Sequence, residues 1–160
     1  MISLLPFFQW CESTSVATAI QTSPWAFAVI ESVHLLGLAL IGGTVLMVNL
    51  RMFGLGLRRQ PLAEIARDAE PWFVGSLMVM LLTGVSLFLS EATKCYYSTP
   101  FWVKMFSLLV AIIFTFTVQR RVAMAAESSS GRRFLKLVAI ISLTLWFAVG
   151  AAGRWIGFSG

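Results

Sequence analysis

Charge is what this chain has least of. Only 12% of its 160 residues are Asp, Glu, Lys or Arg, about half the share of an ordinary soluble domain. Hydrophobic residues make up 58%, and the mean hydropathy is +0.85. A soluble fold of this size exposes too much surface to hide so much apolar area, which excludes a soluble enzyme and a disordered chain and leaves an integral membrane protein. The length suits one domain and is too short for two. Two cysteines, Cys11 and Cys95, are too few for a disulfide framework and form no Cys-x-x-Cys pair. The N-terminal stretch lacks the basic start of a secretory signal, is interrupted by Pro6 and carries Glu12 where an apolar core belongs, so residues 1–24 are expected to stay in the mature protein. The ten-residue alternation of a membrane β-barrel is also missing.

What is there are long apolar runs. A spanning helix needs about 20 mostly apolar residues, and four segments qualify, near residues 25–50, 72–90, 101–119 and 135–155. Pro24, Pro71 and Pro100 each precede a run, where a missing N–H costs least, and Trp25, Trp72, Trp102 and Trp155 stand at the ends as an interfacial belt. The expected fold is all-α, an integral membrane four-helix bundle. Residues 1–24, apolar and aromatic but too short to span, are expected to lie along the outer interface as an amphipathic segment, with a re-entrant plug as the alternative. Residues 60–70 are expected to form one or two turns of charged surface helix, and Glu127–Arg133 a flexible turn.

Orientation follows from the cations. Arg51, Arg58, Arg59, Arg67, Arg120, Arg121, Arg132, Arg133 and Lys136 stand at one side against Glu64, Asp68, Glu70 and Glu127, a net of +5; the other side carries Lys94, Lys104 and Arg154 against Glu12, Glu31 and Glu91, a net of zero. The positive-inside rule makes the basic side cytoplasmic and puts both termini on the periplasmic side of a bacterial inner membrane. The basic balance is topological and does not signal nucleic acid.

Ionisable residues inside a span are expensive and usually face a bundle interior or cavity. Glu31 and His34 lie about two turns into the first span, Glu91 ends the second, Lys104 opens the third and Arg154 lies near the end of the fourth. All five belong to the same, outer half of the membrane. At about 100° per residue, each span also carries a small or polar stripe: Glu31, His34, Gly42 and Asn49; Ser76, Thr83 and Ser90; Lys104, Ser107, Ala111 and Thr115; Ser142, Trp146, Gly150 and Gly153. Packing explains the Ser, Thr and Gly positions most simply. Arg154 and Glu91 are explained as well by snorkelling or pairing as by function, whereas a sole histidine deep in a span beside Glu31 favours function.

Three chemistries suit these residues. A b-type haem would use His34 as one axial ligand, with Lys104 or His34 of a second copy as the other. Lys94 and Arg154 would face its carboxylates, and Phe88, Phe101, Trp102, Phe106, Trp146 and Trp155 are candidates for its walls. Glu31-Ser32-Val33-His34 has the spacing of carboxylate-bridged metal sites, but only one such motif is present, so Glu31 is read as an acceptor orienting His34 or as its co-ligand for a single transition metal ion. Copper is served poorly, because Met78, Met80, Met105 and Met124 form no paired motif. The third possibility is a non-catalytic accessory subunit in which the polar cluster only packs.

The run Glu31-Ser32-Val33-His34-Leu35-Leu36-Gly37-Leu38-Ala39-Leu40, closing on Asn49-Leu50-Arg51-Met52-Phe53-Gly54-Leu55, resembles the first helix of an uncharacterised bacterial family of small four-helix membrane proteins. The likeness continues through Leu89–Lys94, Phe101-Trp102-Val103-Lys104 and Ala151–Ile156, and covers nearly the whole chain. In layout the chain is also similar to HemJ-type protoporphyrinogen oxidases and to CopD-type copper-resistance membrane domains. The HemJ-type resemblance implies b-type haem, with His34 and Lys104 at the matching positions; the departure is that the chain has no second histidine, which removes a bis-histidine haem within one subunit. The expected function is therefore a membrane haem protein of electron transfer, in contact with a quinone or porphyrin, as a homo-oligomer or within a membrane redox complex. Metal handling or export is the alternative.

Overall fold

The computed structural model describes residues 4–55, 59–125 and 131–156. Two short helices, α1 (Leu5–Glu12) and α2 (Ser15–Thr22), precede the long helices α3 (Ala26–Phe53) and α4 (Leu62–Ser90). A short helix α5 (Ala92–Tyr97) leads into α6 (Thr99–Phe114), which continues through a π-helical turn (Thr115–Gln119) into α7 (Arg120–Ala125), and α8 (Arg132–Ile156) follows. No strand occurs among the described residues. Four helices, Ala26–Phe53, Leu62–Ser90, Thr99–Ala125 and Arg132–Ile156, are long and apolar enough to cross a membrane, so the chain is a multi-pass membrane protein of the four-helix type. Arg58, Glu127 and Ser128–Ser130 lie outside the described residues.

Every span is longer than its apolar run. A helix of 28 residues such as α3 measures about 42 Å at 1.5 Å per residue, more than the hydrocarbon layer of about 30 Å, so the charged ends project into headgroups and water. The largest difference from the sequence expectation is at α4. Pro71 lies inside that helix rather than ahead of it, and residues 62–70 of the expected surface stretch are its first turns, about two and a half of them. Proline removes one i→i−4 bond, and the carbonyl it frees belongs to Arg67, an exposed residue. In return Leu62, Ile65 and Ala69 pack with Ala123, Val138 and Ala139. At the end of α3, Gly54 takes the left-handed conformation (φ 79°) and its N–H and that of Leu55 close on the Arg51 and Leu50 carbonyls at 2.9 Å, a glycine stop that a side chain would strain.

Helix packing in a membrane relies on close fit and interhelical polar bonds, and both are present. At Gly37 an added Cβ would stand 3.4 Å from the Ser76 carbonyl oxygen and 3.5 Å from the Met80 nitrogen, so α3 and α4 approach almost backbone to backbone. The central core joins Ile41, Phe73, Met80, Leu108, Trp146 and Val149. Nearer the basic loops, the π turn helps carry Gln119 into the interior, where it bonds with Asn49 and Ser142. The Asn49 amide donates to Ser142 Oγ (3.1 Å), Ser142 Oγ donates to Gln119 Oε1 (2.8 Å), and Gln119 Nε2 reaches Asn49 Oδ1 (3.4 Å). This triad ties α3, the π turn and α8 together at one level.

Candidate functional site

α1 and α2 form a hairpin across the opposite end of the bundle. Phe8 is its plug: it packs edge-on against Phe88 (5.4 Å between centroids) and Tyr96 (5.2 Å). The Glu12 carboxylate accepts the Thr93 N–H (3.0 Å) and the Thr93 hydroxyl, and the Gln21 amide donates to the Ser90 carbonyl (2.8 Å). Thr14 caps α2 by accepting from the Ala17 N–H. Just beneath this hairpin lies a chamber of about 270 Å³, walled by α3, α4, α5, α6 and α8. Glu31, His34, Glu91, Lys104 and Arg154, one or two from each long helix, all line it.

His34 is almost fully buried, at 9% exposure, and its orientation is fixed by α4. Its Nδ1 lies 2.9 Å from Thr83 Oγ1. The Thr83 hydroxyl has one hydrogen, and the Val79 carbonyl 2.7 Å away takes it. With that hydrogen on Val79, Thr83 is placed to accept from an Nδ1–H, the tautomer in which Nε2 would carry the lone pair. The adjacent Gly84 makes room for the ring: a Cβ there would stand 3.2 Å from Cε1 of His34. Thr83, not Glu31, is thus the acceptor that orients the imidazole, and Glu31 lines the chamber from an exposed position.

Lys104 crosses to α8, where Gly153 receives its side chain; Nζ and Cε both lie 3.5 Å from where a Cβ of that glycine would be. Its ammonium has no hydrogen bond or ion pair among the described residues. Glu91 pairs with Lys94 at 3.9 Å across an exposed i,i+3 step, an arrangement worth little by itself. Cys95 lines the chamber too, and burial, with the Glu91 carboxylate second, pushes its thiol up to about 11. Cys11 and Cys95 are both free and buried. Trp146 is not in the chamber. It sits in the central core, donating from Nε1 to Thr115 Oγ1 (3.1 Å) with its ring edge-on to Phe73 (5.5 Å), and it lines a separate lipid-facing groove between α3 and α8 that shares Leu38 and Gly150 with the chamber walls.

Thr83 and Gly84 are the residues that sequence reasoning undervalued. Thr83 belongs to the seven-residue stripe with Ser76 and Ser90, but the other two hydroxyls donate to carbonyls of their own helix, Trp72 and Leu87. Among the described residues no three His, Cys, Asp or Glu side chains are grouped to hold a metal ion, so Glu31 and His34 gain no third ligand here.

A multi-pass helical protein with one orientated histidine and one unpaired lysine in a chamber under an N-terminal hairpin is the class that fold and site define. The chain belongs to a family of unknown function, DUF6644, which matches residues 7–159. No curated protein and no solved structure matches it.

Proposed function

We propose that the chain is a membrane redox protein that binds b-type haem in the chamber around His34, in the bacterial inner membrane, with the hairpin end on the periplasmic side. The observation that carries this is the imidazole itself: it lines the chamber and its Nδ1 lies 2.9 Å from Thr83 Oγ1, a contact that would fix the ring and leave Nε2 to ligate a metal. The fit extends beyond that one atom. Lys104, which has no hydrogen bond or ion pair among the described residues, would be a second ligand once deprotonated, and Arg154 lines the same chamber. The chamber, at about 270 Å³ a little below the usual ligand-site volumes, is lined by all five ionisable residues, and it shares Leu38 and Gly150 with the groove beside Trp146. The layout likeness to HemJ-type proteins points the same way. Haem would supply one-electron chemistry; this chain's residues would hold it, fix its ligand and keep water away.

The test is the absorption spectrum of protein purified in mild detergent, oxidised and dithionite-reduced, with a pyridine haemochrome assay. A Soret band and sharp reduced α-band that vanish in His34→Ala are expected. A preparation that stays colourless after haem supplementation overturns the proposal; elemental analysis then separates metal handling from an accessory role.

A further inference from the structure

The polar rim of the chamber and the apolar groove below it lie on one seam between α3 and α8. On α3, Glu31 and Leu35 line the chamber, Leu38 lines both spaces, and Gly42 and Leu46 line the groove. These positions follow one another at three or four residues, so they form a single stripe down one face of the helix. On α8, Phe147, Gly150 and Arg154 make a second stripe at the same spacing. Glu31, Leu35, Leu46, Phe147 and Arg154 are all exposed, so the seam faces outward along its length. Gly42 and Gly150 leave it open, since a Cβ on either would meet nothing within 4 Å. Trp25 and Trp155, both exposed, mark the membrane interface at the hairpin end. From Arg154 to Leu143, which lines the far part of the groove, the helix rises about 16 Å, close to the roughly 15 Å of hydrocarbon in one leaflet.

We propose that this seam binds one phospholipid of the leaflet at the hairpin end, a phosphoethanolamine lipid, with an acyl chain in the groove and its headgroup between Arg154 and Glu31. The groove carries no charged side chain, which suits a hydrocarbon chain, whereas a cation and a carboxylate stand on the same seam at its interfacial end. Those two charges select the headgroup. A guanidinium presents five N–H donors in a planar fork that matches phosphate oxygens, enough to serve a phosphate even where another donor is engaged. A carboxylate only accepts, so Glu31 is matched by a primary ammonium, which donates, and not by a trimethylated one, which has no hydrogen to give. An anionic glycerol headgroup would satisfy Arg154 but bring no cation to Glu31. Bound there, the headgroup covers the exposed side of the chamber, as the hairpin covers its end. None of this depends on haem.

The experiment is native mass spectrometry of the full chain in nonionic detergent, with palmitoyl-oleoyl lipids of ethanolamine, choline or glycerol headgroup added at equal concentration. One ethanolamine lipid per chain should be retained, in preference to the choline lipid by about tenfold, the effect of one hydrogen bond to a charged group. Glu31→Gln should remove that preference. Arg154→Gln should weaken retention of all three phospholipids while leaving diacylglycerol unaffected. Gly42→Phe fills the groove and should lower retention of every lipid, diacylglycerol included. Gly43→Phe, at an equally open glycine outside the groove walls, should change nothing and guards against a folding defect. Equal retention of the three headgroups, as for exchangeable annular lipid, overturns the proposal. So does a glycerol lipid held as tightly as the ethanolamine lipid, or a preference that survives Glu31→Gln in protein with wild-type circular dichroism.

Discussion

Thr83→Val removes one oxygen from the His34 site and almost no volume. In the wild-type protein the hydroxyl accepts from His34 Nδ1 at 2.9 Å and donates to the Val79 carbonyl at 2.7 Å. Valine ends both bonds. Interhelical side-chain bonds inside membranes average about 0.6 kcal/mol, with a maximum of about 1.7, so stability should fall within that interval. The larger effect concerns the ligand. With Nδ1 orphaned, the imidazole no longer holds its proton on that nitrogen, and Nε2 is no longer held as a lone pair. Loss of an orienting partner of this kind costs about 10–100-fold in affinity, or about 1.4–2.7 kcal/mol. The assay is titration of haem into apoprotein, read from the Soret band, beside thermal unfolding in the same detergent. Thr83→Ser keeps the hydroxyl and should bind within about twofold of wild type, by the same argument. If Thr83→Val binds as wild type does, or if serine is as poor as valine, Thr83 does not set the tautomer and the reasoning fails.

Other substitutions probe the remaining parts. Gly84→Ala brings a Cβ to 3.2 Å from His34 Cε1, closer than ordinary contact; displacing the ring should cost about 0.5–1.5 kcal/mol and shift the Soret maximum, while Gly75→Ala, where space is open, should do neither. Asn49→Ala strands Gln119 Nε2 within the triad and should lower unfolding stability by about 1–3 kcal/mol, with haem content unchanged in chains that fold. For Cys95, a thiol pushed up to about 11 stays protonated as pH rises past its usual range near 9, so in a Cys11→Ser background maleimide labelling should stay slow through pH 9 and accelerate only toward pH 11; ready labelling at pH 8 would contradict its burial. Glu12→Ala removes the carboxylate that holds Thr93 and should speed proteolysis within α1 and α2 while leaving the four spans protease-resistant.

The four spans and the chamber residues were legible because both follow from the cost of polarity in lipid. Twenty apolar residues in a row have few alternatives to crossing a membrane, and ionisable groups placed at one depth on each helix have few places to go except toward one another. Glu31, His34, Glu91, Lys104 and Arg154 do meet in one chamber. Less visible were the features that depend on which helix faces which. Pro71 reads as a helix start in any single sequence, and only the packing of Leu62, Ile65 and Ala69 extends the helix behind it. Glu31 is one turn from His34 and looks like its partner, yet the imidazole points across to α4 and Thr83. Trp146 shares a stripe with Ser142 and Gly150, but the bulk of its indole carries it into the core against Phe73, and it meets the groove instead of the chamber. The π turn that helps draw Gln119 inward has no signature in the residues Thr115–Gln119 themselves.

The two ends of the bundle differ in what fastens them. Beside the basic loops, an exposed ion pair joins Arg120 to Glu70 (3.0 Å), and the buried Asn49–Gln119–Ser142 triad fixes how deep the helices sit. At the hairpin end the contacts are aromatic and a carboxylate latch, and the chamber they cover gathers Glu31, His34, Glu91, Lys104 and Arg154 around one space.

The most direct measurement is haem stoichiometry in His34→Gly with and without added imidazole. Removing the side chain should take haem per chain from near one to near zero, and millimolar imidazole, filling the space above Gly84, should restore the Soret band without altering the far-ultraviolet circular dichroism. Haem retained in His34→Gly, or none bound by the wild-type protein after supplementation, would contradict the central claim.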